Sequence, residues 1–337
     1  MDDYIKGKRI LFITTKNIDY IRNQQEIKIL RAMAGNVQIV YSKCKSYPLR
    51  LFVIYIRLLF MSLKAVDTIF IGFSPQLILP VFFWKMSNKT IIIDFFISVF
   101  DTLVNDRKTF KDNSIMARFC HWLDDRTLSK SKLVIADTEA HGKYFIDEFG
   151  LARSIIKVLY LEADTGLYYP RKIKKPQELE GKFVVMYFGS VLPLQGLEVV
   201  LQSADILKEI SNIQFIIVGP LKKCSYKPVS NNMLCIPWLS QDKLAETIAM
   251  ADLCLAGHFN GSIQKAKRTI PGKAYIYEAM HKPMILGDNK ANHERYSEKQ
   301  EGIYFVEMGS AEKLADLIKK IFETYTHKKV GDLNGRK

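Results

Sequence analysis

Short runs of β-branched and aromatic residues alternate with longer amphipathic stretches along the whole chain. This alternation is typical of parallel sheets whose faces are covered by helices. The expected fold class is therefore α/β, with Rossmann-like domains. The runs predict strands at Arg9–Thr14, Val37–Tyr41, Thr68–Ile71, Thr90–Phe95, Lys132–Asp137, Ile156–Leu161, 182–189, Ile213–Val218, Met233–Ile236, Leu253–Ala256, Met284–Leu286 and Gly302–Val306.

The pattern is interrupted at residues 162–181. This segment has two prolines, a run of basic residues and no periodic apolar positions, so we expect a linker there. A chain of 337 residues is also long enough for two domains. We therefore expect a first domain at 1–165, a second at 166–310, a helix at 311–327 that packs back toward the first domain, and a polar tail at 328–337.

Composition favours a globular, cytoplasmic protein. Hydrophobic residues make up 48% of the chain. No run of about 18 apolar residues predicts a membrane span, and the charged N-terminus is unlike a signal peptide. The five cysteines are scattered without a CxxC pair, which fits a reduced compartment better than a disulfide scaffold or a zinc site. The chain also lacks a DxD motif, so no metal or other cofactor is expected.

The net charge of +14 is spread evenly along the chain. Residues 1–170 contain 24 Lys and Arg against 17 Asp and Glu, and the remainder contains 25 against 18, so each half carries +7. An even excess fits attraction to anionic surfaces or phosphorylated ligands better than one nucleic-acid groove. We expect no nucleic-acid partner.

Residues 46–67 form the most hydrophobic helix candidate. Arg50, Arg57 and Lys64 recur seven residues apart and are expected on one side of it. Such a side could lie on an anionic membrane. Alternatively, this helix covers a sheet and its long basic side chains reach past an apolar face to water.

In the first half, acidic residues follow the apolar run TIIID. Ligands bind at the carboxyl ends of strands in open α/β sheets, so Asp94 and Asp101 could reach a site. The alternative is a solvated loop in which Asp101 caps a helix. His141, which follows the next strand, is a weaker candidate, and His121 lies in a helix as a structural residue would.

The second half opens with a strand, a glycine-containing loop and a helix, in KFVVMYFGSVLPLQGLEVV. A helix N-terminus offers unpaired N–H groups and a partial positive charge, and Gly189 and Gly196 let a phosphate approach the backbone. The spacing matches neither GxGxxG nor the P-loop. It therefore predicts an anion site without naming the nucleotide, and a plain strand-to-helix turn remains the alternative.

Glu278 lies in residues 268–294, on a helix that is otherwise mostly apolar. Removing a carboxylate from water costs several kcal/mol unless another group bonds it. Glu278 therefore needs a partner, and a polar ligand is one candidate.

The segments FGSVLPLQG, IIVGP and IPGKAYIYEAMHKPMILGDNKANHE together resemble the GT-B glycosyltransferases of the group 1, family 4 type. The resemblance implies two Rossmann-like domains facing across a cleft. It further implies metal-independent, retaining transfer of a hexosyl-type sugar from a UDP or GDP donor to a hydroxyl. The acceptor would be a glycan or a lipid-linked sugar, in surface polysaccharide or glycolipid assembly at the inner face of the cell membrane, to which the protein would bind peripherally.

The resemblance also implies roles for individual residues. Glu278 would bind the ribose, and Lys273 or Arg268, with Lys267 as a substitute, would supply positive charge to the diphosphate. Ser190 and Gln195 stand where the family commonly has Arg and Lys, and Ile270 where it often has a second glutamate. The donor side would comprise Gly189, Ser190, Gln195, Gly196, Gly219, Arg268, Lys273, Glu278, Asp288, Asn289 and Asn292.

Asp94 and Asp101 are the catalytic candidates on the acceptor side. Two alternatives to a glycosyltransferase stay open. One is a catalytically silent chain of this fold that binds and stabilises a partner glycosyltransferase, which the residues at 190, 195 and 270 favour. The other is a sugar-nucleotide epimerase of the same fold.

Overall fold

The computed structural model describes the backbone of residues 1–334 and the side chains of residues 1–222 and 224–327. The chain divides into two compact units, Met1–Glu162 and Ala163–Lys337. The division lies at the start of the predicted linker.

The first unit is built on a six-stranded parallel sheet with the order β2-β1-β3-β4-β5-β6. Its four inner strands are buried along almost their whole length, as expected for a parallel sheet with both faces covered. They are β1 (Arg9–Thr14), β2 (Asn36–Val40), β3 (Thr68–Phe73), β4 (Thr90–Asp94), β5 (Leu133–Ala136) and β6 (Ile156–Val158).

Six helices cover this sheet. Those following β2, β3, β4 and β5 share one apolar core, and the two near the N-terminus share another. The helices are α1 (Asp2–Ile5), α2 (Ile21–Met33), α3 (Tyr47–Phe60), α4 (Leu79–Met86), α5 (Ile115–Leu128) and α6 (Glu139–Phe149).

The second unit repeats the architecture. Its six-stranded parallel sheet has the order β12-β11-β10-β7-β8-β9. The strands are β7 (Phe183–Phe188), β8 (Ile213–Val218), β9 (Met233–Ile236), β10 (Leu253–Gly257), β11 (Met284–Gly287) and β12 (Ile303–Val306). The helices are α7 (Leu197–Ile206), α8 (Gln241–Met250), α9 (Gly272–Ala279), α10 (Lys290–His293) and α11 (Ala311–Asn334).

The last helix packs on the second unit. Leu314, Ala315 and Ile318 are fully buried in that unit's core. The helix continues to Asn334, into the segment predicted as a polar tail, and the rest of that segment, 335–337, lies outside the described residues.

The α/β class with two parallel sheets is confirmed, and all twelve predicted strands are present within a few residues of their predicted bounds. Two details differ. The loop after β4 contains a π-helical turn, Asp101–Asp106, so Asp101 begins a helix rather than capping one. Arg50 does not share a face with Arg57 and Lys64, because it is buried and donates from Nε and Nη2 to the Cys44 carbonyl, at 2.9 and 2.8 Å.

Among the described helices, none combines the length and apolar character that crossing a bilayer requires.

Candidate functional site

The glycine-containing loops of the second unit meet at the carboxyl edge of its sheet. Gly189 follows β7 and Gly219 follows β8. A Cβ atom on Gly219 would lie 2.3 Å from the Gly189 carbonyl oxygen, so two neighbouring loops touch through their backbones. Only glycine allows so close an approach.

Gly196 brings the same loop against the end of β10. Its φ of +63° is left-handed, and a Cβ there would lie 2.6 Å from the backbone nitrogen of Asn260. It is also the N-cap residue of α7. The N-terminus of α7 therefore follows directly on a loop with no room for a larger side chain, as an anion site requires.

Lys273, in the first turn of α9, lies beneath this edge. It is 6% exposed, and its Nζ lies 3.7 Å from the centre of the Tyr187 ring. Nζ also donates to Gln195 Oε1 at 3.3 Å, and Tyr187 Oη donates to the same oxygen at 2.8 Å. A Cβ on Gly189 would lie 3.2 Å from Nζ. The loop glycine, Gln195 and the lysine thus form one cluster.

Burial lowers the pKa of Lys273 well below its ordinary value. Within the described part of the chain, Lys273 forms no ion pair. A buried cation without a counter-charge is costly, and it either loses its proton or takes an anion. The arrangement is therefore suited to binding an anionic group that approaches the Gly189 loop.

Two predicted donor residues lie at the margins of this cluster. Ser190 is exposed at the start of the loop. Arg268 is partly buried between β10 and α9, where it ends the short helix Gln264–Lys267.

The predicted residues after β11 lie at the same edge of the sheet but are engaged locally. Asn289 caps α10 by accepting from the Asn292 N–H at 2.9 Å, and Asn292 Nδ2 donates to the Gly287 carbonyl at 2.7 Å. Asp288 is exposed and pairs with His293 Nε2 at 2.7 Å. The two asparagines therefore shape the turn after β11.

Glu278 is not a buried carboxylate, and the partner that its sequence setting calls for is found within the protein. Its side chain is 42% exposed, and Arg295 donates to it at 3.0–3.1 Å while Tyr296 Oη donates at 3.2 Å. It borders a cavity lined by Pro283 and Gly302, which precede β11 and β12. Glu278 thus lies toward the strand ends opposite to the glycine loops.

In the first unit, Asp94 is fully engaged. It is 1% exposed at the end of β4, and Arg22 of α2 binds it in a bidentate pair, with Nε–Oδ2 at 2.8 Å and Nη2–Oδ1 at 3.0 Å. Arg22 Nη1 also donates to the Leu159 carbonyl. Both oxygens of Asp94 are therefore occupied by a guanidinium.

Two further acids surround this pair. Glu26 of α2 lies 3.7 Å from Arg22 Nε, and burial, followed by the Asp94 charge, raises the pKa of Glu26 well above its ordinary value. Asp137, at the end of β5, bonds His141 Nδ1 at 2.5 Å. Although burial acts to raise the pKa of Asp137, the His141 ring and Arg22 lower it overall. Sequence reasoning missed Arg22 and Glu26, because α2 carries no motif.

Asp101 is fully buried at the start of the π-helical turn, where its Oδ1 accepts from Asn105 Nδ2 at 3.0 Å. Asn105 lines a cavity of about 660 Å³ together with Arg118, His121 and Trp122. Asp101 therefore supports one wall of a cavity in the first unit.

Among the side chains that the structure describes, no group of three or more His, Cys, Asp or Glu residues is arranged to hold a metal ion.

Residues 182–324 match the family model described as glycosyl transferases group 1. No match was found among curated protein sequences.

Solved structures resemble the chain over almost its whole length. HepE from Anabaena, solved with UDP and glucose, has 14% identity and a TM-score of 0.61, over 95% of this chain and 91% of that one. Sucrose-phosphate synthase from Thermosynechococcus elongatus has 10% identity and a TM-score of 0.67, over 94% and 90%. A glycosyltransferase from Rickettsia africae has 13% identity and a TM-score of 0.58, over 94% and 89%.

At these identities the likeness to solved structures shows the fold, and the family model concerns the second unit. The chain thus has the GT-B fold, and most of its second unit matches the model of the group 1 glycosyl transferases.

Proposed function

We propose that the protein transfers a sugar from a nucleoside diphosphate donor to a hydroxyl acceptor, with the donor held by the second unit. The observation that carries this proposal is Lys273, a buried lysine for which the described side chains supply no ion-pair partner, set against the glycine loops at the carboxyl edge of the sheet. HepE, which has the same fold, was solved in complex with UDP and with UDP-glucose, which supports a UDP-sugar as the first donor to test.

The diphosphate is the leaving group of this reaction, so negative charge grows on it as the bond to the anomeric carbon breaks. Donors already aimed at that position stabilise the transition state without reorganising. We assign this task to Lys273, to the backbone of the Gly189–Gly196 loop and to the N-terminus of α7. The acceptor oxygen forms the new bond, and its proton leaves with the products. We expect retention of configuration without a metal ion.

Lys273 also accounts for the unusual loop. The family's loop lysine is replaced here by Gln195, yet Nζ of Lys273 lies 3.3 Å from the Gln195 side chain. The amine of Lys273, from α9, thus lies beside position 195, where the family commonly has a loop lysine. The Gln195 side chain, held by Tyr187, keeps Nζ in place.

For the acceptor we propose a glycan or lipid-linked sugar that meets the first unit, at the cytoplasmic side of a membrane during polysaccharide or glycolipid assembly. Asp94 and Asp101 stay proposed acceptor-side residues. Because Arg22 occupies both oxygens of Asp94, we propose that this carboxylate positions its neighbours rather than accepting a proton. The Asp137–His141 pair is then the acid–base group at the carboxyl edge of the first unit's sheet.

A panel of UDP-, GDP- and ADP-sugars, scored by calorimetry and by slow hydrolysis, tests the proposed function. We expect one donor to bind and to be hydrolysed, with both effects lost in Lys273→Met. If no sugar nucleotide binds, the donor assignment is wrong.

Ile270 favours a second candidate, a silent chain that stabilises a partner glycosyltransferase. It is 7% exposed and apolar where the family often has a glutamate. Failure of every nucleotide to raise the melting temperature, together with co-purification of a glycosyltransferase, would support this alternative. Conversion of the donor sugar without any acceptor would instead indicate an epimerase.

A further inference from the structure

Large apolar side chains protrude from three neighbouring helices of the first unit. They lie on α3, α4 and α5, and we call them together the apolar face. Its members are Leu49, Phe52, Ile56, Leu59, Phe60, Val81, Trp84, Ile115, Met116, Phe119 and Trp122, which are between 41% and 84% exposed. Exposed apolar residues are ordinary when single, but a contiguous group of this kind marks an interaction surface.

Helix α3 is apolar on two sides. Ile54 and Leu58, four residues apart, are buried against the sheet. Phe52 and Ile56, also four apart, point outward and are 61% and 41% exposed. The inward side completes the core, so the outward side must serve another purpose.

Helix α5 repeats this arrangement. Ile115, Phe119 and Trp122 follow one another at spacings of four and three residues, which places them on one side of the helix. Arg118 and Arg126 are exposed on the same helix. On α4, Trp84 is 68% exposed. Each of the three helices therefore presents at least one large aromatic ring to the outside.

The three helices are packed side by side. The rings of Tyr55 on α3 and Phe82 on α4 lie 5.2 Å apart, and Lys85 Nζ donates to the Leu58 carbonyl at 2.8 Å. Lys130, just beyond α5, lies 3.3 Å above the ring of Phe83. All three helices cover the same side of the sheet and share its core. The protruding residues thus belong to one continuous surface.

The charge around the apolar face indicates its partner. Residues 43–66 contain five basic residues and no Asp or Glu. Arg57 and Lys64 are exposed beside the apolar side chains of α3, as is Arg118 on α5. Aromatic and aliphatic side chains that protrude among cations match a bilayer surface with anionic headgroups, where rings enter the acyl boundary and cations meet phosphates.

We propose that the apolar face docks the first unit on an anionic lipid bilayer, with the rings of α3, α4 and α5 inserted at the interface. The docking does not depend on the transfer reaction, since it uses none of the residues around Lys273. The proposed membrane-binding surface consists of three helices, whereas the sequence predicts one on residues 46–67. Arg50 does not belong to this surface, because it is buried.

Vesicle co-sedimentation of the full chain without nucleotide tests the proposal. We expect binding to an equal mixture of phosphatidylcholine and phosphatidylglycerol, much less to phosphatidylcholine alone, and weakening by high salt. A triple variant of the face should lose at least about tenfold in affinity. The face variant is Phe60→Ser, Trp84→Ser and Phe119→Ser. The matched control, on the second unit, is Val229→Ser, Leu234→Ser and Trp238→Ser, whose side chains are 78%, 47% and 75% exposed.

Charge variants distinguish electrostatic attraction to anionic lipids from insertion of apolar side chains into the bilayer. Arg57→Gln and Arg118→Gln should each weaken binding by about fivefold, because a basic residue near an anionic surface contributes about 1 kcal/mol. The effect should vanish at high salt, whereas that of the triple face variant should persist.

The three tryptophans provide a second test, since Trp84 and Trp122 lie in the face and Trp238 lies on the other unit. In variants that keep one tryptophan and have Phe at the other two positions, the emission of Trp84 and of Trp122 should shift to the blue on addition of anionic vesicles. The emission of Trp238 should not change.

Three results would overturn the proposal. One is equal sedimentation of the face variant and the wild type. Another is an equal shift for Trp238. The third is a wild-type protein that forms a dimer and does not bind vesicles, together with a face variant that is a monomer. The apolar face would then be a contact between two copies of the chain. Vesicle binding by Lys273→Met as strong as the wild type's would show that docking and donor binding are separate.

Discussion

Replacing Lys273 by Met should make the protein more stable and, at the same time, a poorer binder of UDP-glucose. Lys273 is 6% exposed, and its described polar contact is the 3.3 Å hydrogen bond to Gln195. Met fills a similar volume without a charge to bury. A residue whose removal stabilises the fold but impairs binding serves the ligand rather than the core.

The magnitudes follow from this environment. An imperfectly satisfied buried polar group costs about 1–3 kcal/mol, so the variant should gain a free energy of unfolding within that range at neutral pH. A hydrogen bond to a charged group contributes about 1.5–3 kcal/mol, so loss of the contact to the diphosphate should weaken affinity by about 10- to 150-fold. The two effects have opposite signs and can be measured on one preparation.

The pH dependence has a definite sign. Because burial lowers the pKa of Lys273 in the folded state, the unfolded chain binds more protons between that pKa and 10.5. Wild-type stability should therefore rise with pH through this window, and the advantage of the variant should shrink toward zero as the pH approaches 10.5. Over the same window, UDP-glucose affinity of the wild type should fall, because the diphosphate needs the protonated amine.

Chemical denaturation and calorimetry with UDP-glucose, both as a function of pH, measure these quantities. Lys282→Met is the matched control. Lys282 also has a pKa lowered by burial, but its Nζ donates to the Ala249 carbonyl at 2.9 Å, away from the glycine loops. The control should leave affinity unchanged. If Lys273→Met destabilises the fold, or binds UDP-glucose as the wild type does, the reasoning about this lysine is refuted.

Three other changes test the remaining features. Glu278→Gln should alter UDP-glucose affinity by less than about twofold and stability by less than about 1 kcal/mol, because Glu278 forms an exposed pair with Arg295; a hundredfold loss in calorimetry would instead support the predicted ribose contact. Glu26→Gln should have a free energy of unfolding that rises relative to the wild type's as the pH rises above 4.5, because the raised pKa of Glu26 makes wild-type stability decline there. Denaturant melts at several pH values measure this, and a difference that stays constant with pH would contradict the raised pKa. Gly219→Ala should lower the free energy of unfolding by about 1–3 kcal/mol and weaken donor binding, because its Cβ would lie 2.3 Å from the Gly189 oxygen; an unchanged melting temperature would contradict the contact.

The sheets could be predicted from sequence because local patterns determine them. Parallel strands buried on both sides appear as short apolar runs, and Gly189, Gly196 and Gly219 mark the edge where ligands bind. These positions needed no knowledge of distant contacts. The sequence therefore predicts where this edge of the sheet lies, whereas donor binding there and the role of each residue stay proposals.

Side-chain partners could not be predicted, because they come from distant positions. Glu278 meets Arg295 seventeen residues later, and Asp94 meets Arg22 from seventy-two residues earlier. Nothing in a helical pattern shows that Lys273 turns inward while Glu278, five positions on, turns out to solvent. On an α-helix these two lie about 140° apart, so one helix serves two separate environments.

The contacts of α2 determine where the first unit ends as a structural piece. Arg22, already bound to Asp94, also holds the Leu159 carbonyl, and Gln25 Nε2 holds the Tyr160 carbonyl at 2.7 Å. The chain therefore leaves this unit after Tyr160, two residues past the last hydrogen-bonded strand. A fragment that stopped at Val158 would remove the acceptors of Arg22 Nη1 and Gln25 Nε2, whereas one that extends to Glu162 would keep both and is the natural limit for producing this half on its own.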